Sequence, residues 1–162
     1  MPSKSDKPQS GGKVVFLVGK MVEYNQAFFS LYVNLFKVLK EGFREEKALE
    51  IFSKIMEMGL KAAYDNMGFI KGNEKSFAKV LKARDESVGL KVKFPLIEKG
   101  KIIYQFHTDP FPELKGIVAF EKLDATYMKF KVSYLLSQEW GYKTTKHIWR
   151  GDKYTEHIIE KK

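Results

Sequence analysis

The chain of 162 residues contains no cysteine, which excludes a disulfide framework, a thiolate metal site and a cysteine nucleophile. It also lacks any run of about 18 apolar residues, so no membrane-spanning helix is predicted. Residues 1–13 lack the apolar core of a signal peptide, and we therefore expect a cytoplasmic protein without membrane association. Phosphate-binding loops and the sequence signatures of serine hydrolases and zinc proteases are missing as well.

Arginine is scarce, although the chain is basic, with a net charge of +9. Of the 29 basic residues only three are Arg (Arg44, Arg84 and Arg150), which leaves 26 Lys. Proteins that bind phosphates or the edges of nucleic-acid bases specifically favour arginine, because its guanidinium group is planar and forms two parallel hydrogen bonds. The low ratio of Arg to Lys therefore favours a generally charged surface over a dedicated nucleic-acid-binding face. A Lys-rich, cysteine-free composition is also typical of heat-adapted proteins.

Hydrophobic residues make up 44% of the chain and aromatic residues 14%, enough for a substantial core. The Ser-, Pro-, Gly- and Lys-containing residues 1–12 predict a flexible tail, and residues 13–162 predict a single domain. Residues 14–18 (VVFLV) are compatible with a strand or with the start of a helix.

The order of the predicted elements indicates an α+β fold. Helical periodicity predicts helices over residues 24–40, 45–66 and 74–87, the last with Asn73 as its N-cap. Two strand-like runs, 90–97 and 101–107, flank the turn pair Lys99-Gly100, and a long helix is predicted over 113–138. Strands 142–150 and 153–160 around Gly151-Asp152 complete a second hairpin. We expect N-terminal helices and two β-hairpins that form a small antiparallel sheet, with one long helix between the hairpins.

The long predicted helix carries two charged residues on its apolar side. Asp124 and Lys131 fall in the same sector as the hydrophobic residues Ile117, Phe120, Leu123, Tyr127, Tyr134 and Leu135. Because an unpaired buried carboxylate is costly, Asp124 is expected either to pair with a neighbour as a structural group or to line a hydrated pocket.

The last predicted hairpin brings further candidates together. A two-residue turn at Gly151-Asp152 would place Trp149 opposite Tyr154 and His147 opposite Glu156. The second pair is either an acid/base couple or a surface pair of little consequence. His157 is expected on the opposite face, which argues against a metal site that joins it to His147.

A further histidine, His107, ends a predicted strand next to Asp109. It is either an ordinary strand-end residue or a helper in a site. Three histidines without ligand spacing give no metal site that we would predict. The sequence does not reveal whether a cofactor is used.

Three segments resemble the L-2-amino-thiazoline-4-carboxylic acid hydrolase family of small α+β proteins. They are FHTDPFP (residues 106–112), FEKLDATYM (120–128) and KTTKHIWRGDKYTEHII (143–159), and the similarity of pattern covers residues 41–159. In that family a strand ends at Cys-Pro, an Asp follows a second Cys on a helix, and a Gly-Asp-x-x-Cys hairpin closes the chain. Asp124 and Gly151-Asp152 match this pattern. The small-ligand domain named after 4-vinyl reductase is similar in the same way.

The chain departs from the family at each cysteine. Asp109 stands at the first cysteine position, Lys122 or its neighbours at the second, and Thr155 at the third. The resemblance implies a hydrolase-like protein that acts on a cyclic C–N bond, or one that has kept the scaffold and lost this activity if the family's thiols carry its chemistry or bind its metal. Its catalytic group would be Asp124, assisted by His107, Asp109, His147 and Glu156. Its ligand-binding residues would be Phe120, Tyr127, Lys131, Tyr134, Trp149 and Tyr154.

Two other functions stay open. A non-catalytic protein on the same scaffold would hold a small ligand in a cavity lined by aromatic residues, namely Phe28, Phe29, Phe36, Phe120, Tyr127, Phe130 and Tyr134. Alternatively, the lysines of the two hairpins would bind nucleic acid or an acidic partner, the residues concerned being Lys91, Lys93, Lys99, Lys101, Lys143, Lys146, Arg150 and Lys153. The sequence predicts neither the ligand nor an oligomeric state.

Overall fold

A computed structural model describes residues 22–162 of the chain. The predicted tail at residues 1–12 and the apolar run at 14–18 lie outside these residues. Within residues 22–162, no helix is both long enough and apolar enough to cross a membrane.

Three helices come first. They are α1 (Gln26–Gly42), α2 (Glu45–Met67) and α3 (Glu74–Ser87). The side chains of Asn25 and Asn73 accept hydrogen bonds from the Phe28 and Ser76 backbone amides, 3.0 and 2.8 Å away, and so cap α1 and α3. The predicted cap at Asn73 is confirmed.

A four-stranded antiparallel sheet and one more helix follow. The strands are β1 (Val92–Glu98), β2 (Lys101–Phe106), β3 (Trp140–Lys146) and β4 (Thr155–Lys161), and the helix between β2 and β3 is α4 (Phe120–Leu135). The order across the sheet is β1-β2-β4-β3, so the last strand lies in the interior of the sheet. The predicted α+β class with a small antiparallel sheet is confirmed.

Two predicted details are wrong. The fourth helix is shorter than residues 113–138, because Pro112–Leu114 form a separate 3₁₀ turn and α4 begins only at Phe120. The second hairpin has no two-residue turn at Gly151-Asp152. The chain leaves β3 through the 3₁₀ turn Ile148–Arg150, and β4 starts at Thr155. By contrast, Glu98 pairs with Lys101, so the Lys99-Gly100 turn is as predicted.

One face of the sheet packs against the helices. The core-facing residues of β2 are Ile102, Tyr104 and Phe106. Those of β4 are Thr155, His157 and Ile159. Cross-strand pairing sets Tyr104 opposite His157, and both side chains are fully buried. The alternation of the strands therefore delivers two polar side chains into the core.

The segment before α1 is fixed by a close approach to Gly89. This glycine has φ +82°, and a Cβ placed there would lie 2.0 Å from the carbonyl oxygen of Glu23. The Asn25 amide donates to the Val88 carbonyl over 3.0 Å at the same place. Only glycine allows the backbones to approach this closely.

Candidate functional site

Asp124 lies in α4 and is 3% exposed. Its Oδ1 accepts a hydrogen bond from the Tyr127 hydroxyl over 2.8 Å. Its Oδ2 has no hydrogen-bond partner within residues 22–162. The carboxylate is therefore buried with one oxygen satisfied and the other free to accept a proton or a water hydrogen.

Two imidazoles face this free oxygen. Nε2 of His147 lies 3.4 Å and Nε2 of His157 lies 4.0 Å from Asp124 Oδ2. Nδ1 of His147 accepts from the Trp149 backbone amide over 3.0 Å, so the proton of a neutral His147 ring is on Nε2, the nitrogen that lies 3.4 Å from Asp124 Oδ2. Burial lowers the pKa of His157 to about 4, although the Asp124 charge opposes this shift, and His157 is neutral at pH 7.

This arrangement corrects the prediction for the second hairpin. His147 does not face Glu156, because β3 ends at Lys146, and Lys146 is the residue that pairs with Glu156. His147 and His157 do not point to opposite faces either, since both approach the same carboxylate oxygen. The extra residues between the strands turn His147 inward beside α4, where its ring stacks on Phe120 at a centroid distance of 4.0 Å.

A small cavity adjoins Asp124. Its volume is about 10 Å³, enough for about one water molecule, and Asp109, His147 and Trp149 line it together with Asp124. Asp109 accepts from the Trp149 indole N–H over 2.7 Å and from the Phe111 amide over 2.9 Å. Trp149 is therefore held against Asp109, and the predicted contact between Trp149 and Tyr154 is absent.

Four predicted site residues lie elsewhere. Glu156 accepts from Gln105 (2.7 Å) and Thr145 (2.8 Å), on the sheet face opposite to the helices. His107 contacts Gln105 and packs on the Tyr154 ring there, and burial together with Lys93 lowers its pKa. Tyr134 donates to Asp65 at the surface. The structure thus groups Asp124 with Asp109, His147, Phe120, Tyr127 and Trp149, but not with His107, Glu156, Tyr134 or Tyr154.

A second cavity, of about 50 Å³, lies on the other side of Tyr127. Phe106, Pro110 and Tyr127 line both cavities and separate them. Side chains from all four helices and from β2 surround the larger one, among them Phe28, Phe29, Tyr32, Met56 and Leu60, and Val88, just after α3, completes this wall. Of the aromatic residues expected around a ligand, Phe28, Phe29 and Tyr127 line this cavity. Phe36 packs in the core against Phe52, and Phe130 stacks on Tyr134.

Lys131 brings a charged group to this cavity. It is 3% exposed, and its Nζ lies 3.1 Å from the Tyr104 hydroxyl and 3.5 Å from Asp85 Oδ1. The rings of Tyr104, Phe106 and Tyr127 surround the amine, with centroids 5.2–5.3 Å away. Burial lowers the pKa of Lys131, and the Asp85 charge opposes this shift.

Sequence reasoning found Lys131 but missed its partners. Tyr104 donates its hydroxyl proton to Asp85, and burial together with the Asp85 charge raises the pKa of Tyr104 well above 10. Arg84 and Asp85 both line the cavity. The spacing Phe77, Leu81, Asp85 places Asp85 on the buried side of α3, so the helical period could have identified it.

Within residues 22–162 no group of three or more His, Asp or Glu side chains is placed to hold a metal ion.

Some hairpin lysines are paired with a carboxylate, since the amines of Lys101 and Lys143 lie 3.4 and 3.8 Å from the Glu160 carboxylate. These two lysines therefore do not support the predicted lysine surface for nucleic acid or an acidic partner.

The chain matches no model of a protein family, and no curated protein is similar enough to be matched. The resemblance to the aminothiazoline hydrolases therefore stays a prediction, and the geometry described above carries the functional argument.

Proposed function

We propose that this protein binds a small organic molecule in the cavity lined by Lys131. The observation that carries the proposal is a fully buried lysine amine at the edge of a space whose other walls are mostly aromatic and aliphatic. Ligand sites are typically concave and apolar, with a few polar groups that fix the orientation of the ligand.

The polar groups around the cavity are incompletely satisfied. Asp85 lies at 3.5 Å from the Lys131 amine, which is long for a charge-assisted hydrogen bond. Arg84 Nε is buried and has no acceptor within residues 22–162. Because unpaired buried donors destabilise a protein, a ligand with a polar end would gain contacts that the protein alone does not make.

The volume limits the part of the ligand that fits. A space of about 50 Å³ holds roughly three to five water molecules. We therefore expect the buried part of the ligand to contain a similar number of non-hydrogen atoms. The side chains of Tyr32, Arg84 and Val88 line this space and are half-buried, so a larger ligand would have to displace some of them.

Ligand-observed NMR tests the proposal. Mixtures of acetone, propan-1-ol, propionate and propylamine would be screened against the full chain and against Val88→Trp, which places an indole at the cavity. Val38→Trp is the matched control, because Val38 is 64% exposed on α1. Saturation transfer to at least one probe is expected with the wild type and Val38→Trp, and its loss with Val88→Trp. Equal transfer to all three proteins, or none to the wild type, would overturn the proposal.

A second candidate function, hydrolysis, is favoured by the free oxygen of Asp124. A water in the adjoining cavity would be within reach of Asp124 Oδ2 and of the His147 Nε2–H. In a hydrolytic step, Asp124 would remove a proton from this water while the water oxygen adds to the carbon of a C=N bond. The same proton would then pass to the nitrogen, so that water is added across the bond.

The hydrolytic candidate has its own test. Turnover of L-2-aminothiazoline-4-carboxylate, followed by its ultraviolet absorbance, is expected for the wild type and for Asp65→Asn, a surface carboxylate in α2. It is expected to disappear with Asp124→Asn while the circular dichroism spectrum is retained. Absence of wild-type turnover, or full activity of Asp124→Asn, excludes this step.

A further inference from the structure

We propose that Lys131 captures a small aldehyde or ketone in this cavity as a covalent imine. The inference rests on the proposed ligand cavity and deepens it, because it names the class of ligand and the atom that holds it.

The contacts of the Lys131 amine suit a nucleophile. A neutral amine has two N–H bonds and one lone pair. Tyr104 Oη and Asp85 Oδ1 are two acceptors for the N–H bonds, at 3.1 and 3.5 Å. Since Lys131 also lines the cavity, the remaining direction, that of the lone pair, is available to a ligand there.

The surroundings favour the neutral amine. The side chain is fully buried, and burial is the dominant influence that lowers its pKa. The charges that face it act in both directions: Asp85 and Asp124 favour the ammonium form, and Arg84 disfavours it. A desolvated lysine in an apolar pocket is a recognised way to activate this side chain as a nucleophile.

Tyr104 and Asp85 provide the proton transfers that imine formation needs. The lone pair of Nζ attacks the carbonyl carbon, the C–N bond forms, and the carbonyl π electrons move to oxygen. Nitrogen gives one proton to Asp85, and the former carbonyl oxygen takes that proton through Tyr104 and Asp85 to give a neutral carbinolamine. The nitrogen lone pair then forms the C=N bond while the C–O bond breaks, and the hydroxyl group takes a proton from the same pair and leaves as water. The iminium nitrogen finally returns its remaining proton to the pair, which restores it. The sum is one amine and one carbonyl compound converted into one imine and one water, with no oxidant or reductant.

The walls of the cavity suit this product. Three aromatic rings lie around the amine, and apolar side chains form most of the remaining surface. Apolar walls hold water weakly, and this slows hydrolysis of the imine. Acetone and propionaldehyde each have four non-hydrogen atoms, which agrees with the estimated capacity.

Reductive trapping tests the inference on the intact, folded chain. The protein would be incubated with propionaldehyde and cyanoborohydride at pH 7, and each modified lysine located by peptide mass spectrometry. Lys129 is an internal reference, because it is exposed on the same helix. We expect Lys131 to gain a propyl group at least ~10-fold faster than Lys129, the ratio that one unit of pKa difference gives in the neutral fraction. After denaturation the two rates should become equal.

Two variants complete the experiment. Val88→Trp keeps Lys131 and is expected to slow its labelling to the rate of Lys129 or below. Lys131→Arg is expected to lose the fast-labelled peptide while the surface lysines react as before. If Lys131 stays unlabelled, or reacts no faster than Lys129, the imine is excluded. In that case, noncovalent binding that is sensitive to Val88→Trp would leave the cavity proposal standing, and its absence would remove both.

Discussion

The Tyr127 hydroxyl donates to Asp124 across 2.8 Å, while the ring of the same residue forms a wall of both cavities. One side chain therefore orients the buried carboxylate and separates it from the space beside Lys131. A change in the position of Tyr127 would alter both places, which makes this contact the most informative one to remove.

Tyr127→Phe keeps the ring and deletes the hydrogen bond. Because Asp124 is buried, loss of the hydrogen bond from the Tyr127 hydroxyl is expected to lower the free energy of unfolding by about 1–3 kcal/mol. Tyr134→Phe is the matched control on the same helix, since it removes a Tyr–Asp hydrogen bond at the surface. It should change stability little. Urea unfolding of both variants measures the difference, and equal losses would show that burial of Asp124 is unimportant.

His157 should make stability depend on pH. Its folded-state pKa is about 4, below the ordinary value of 6.5, so the unfolded chain takes up a proton at this residue before the folded chain does. Stability is therefore complete above about pH 6.5 and decreases as the pH falls towards 4, by up to ~3 kcal/mol. Below pH 4 this contribution causes no further loss.

His157→Gln provides the comparison for this pH effect. Glutamine does not titrate, so the difference in unfolding free energy between the wild type and the variant should shrink as the pH falls from 6.5 to 4. Other carboxylates titrate in both proteins and cancel in this difference. A difference that stays constant over the same range would contradict the assignment.

Lys131→Met should be destabilising. The substitution removes the Lys131 amine as a donor and leaves the buried Asp85 carboxylate with Tyr104 as its remaining partner, a loss that costs about 1–3 kcal/mol. Lys122→Met is the control. Lys122 lies on the same helix as Lys131, and its ion pair with Glu45 of α2, at 3.0 Å, is exposed. That control should have little effect.

The double variant Lys131→Met/Asp85→Asn distinguishes charge from packing. If the uncompensated Asp85 charge causes the loss, the double variant should be more stable than Lys131→Met alone, as measured by thermal and urea unfolding. A double variant that is as unstable as the sum of the two single variants would show that packing is responsible.

Gly89→Ala and Gly100→Ala compare two glycines with nearly the same backbone angle. Their φ values are +82° and +81°, but only a Cβ at position 89 would meet another backbone. Gly100→Ala is expected to lose about 1–2 kcal/mol from the left-handed conformation alone. Gly89→Ala should lose a further ~1–3 kcal/mol from overpacking against Glu23. Equal losses in calorimetry would mean that the segment before α1 is easily displaced.

The sequence predicted the elements better than their contacts. Helical period and turn residues located α1 to α3, the Asn73 cap and the Lys99-Gly100 turn, because these depend on local chemistry. The second hairpin failed because Gly151 (φ +93°) ends a 3₁₀ turn instead of forming a two-residue turn. This one difference shifted the pairing and turned His147 away from the face of Glu156, where it was predicted, to the core-facing side of His157.

The candidate site shows the same division. The burial of Asp124 and Lys131 followed from their positions on an amphipathic helix. The partners Asp85 and Tyr104 come from α3 and β2, far away in sequence, and only the packing of the sheet against the helices brings them to Lys131. The register that sets Tyr104 opposite His157 could not be read from the residues of either strand alone.

The interior position of β4 has a consequence for biosynthesis. Until residues 155–161 have left the ribosome, β2 and β3 have no common neighbour, and each presents an unpaired edge. His157, which completes the polar group around Asp124, arrives with that same strand. A nascent chain that stalls before Thr155 therefore holds the β1-β2 hairpin and an unpaired β3, both with exposed backbone amides, which are prone to aggregation until β4 inserts between them.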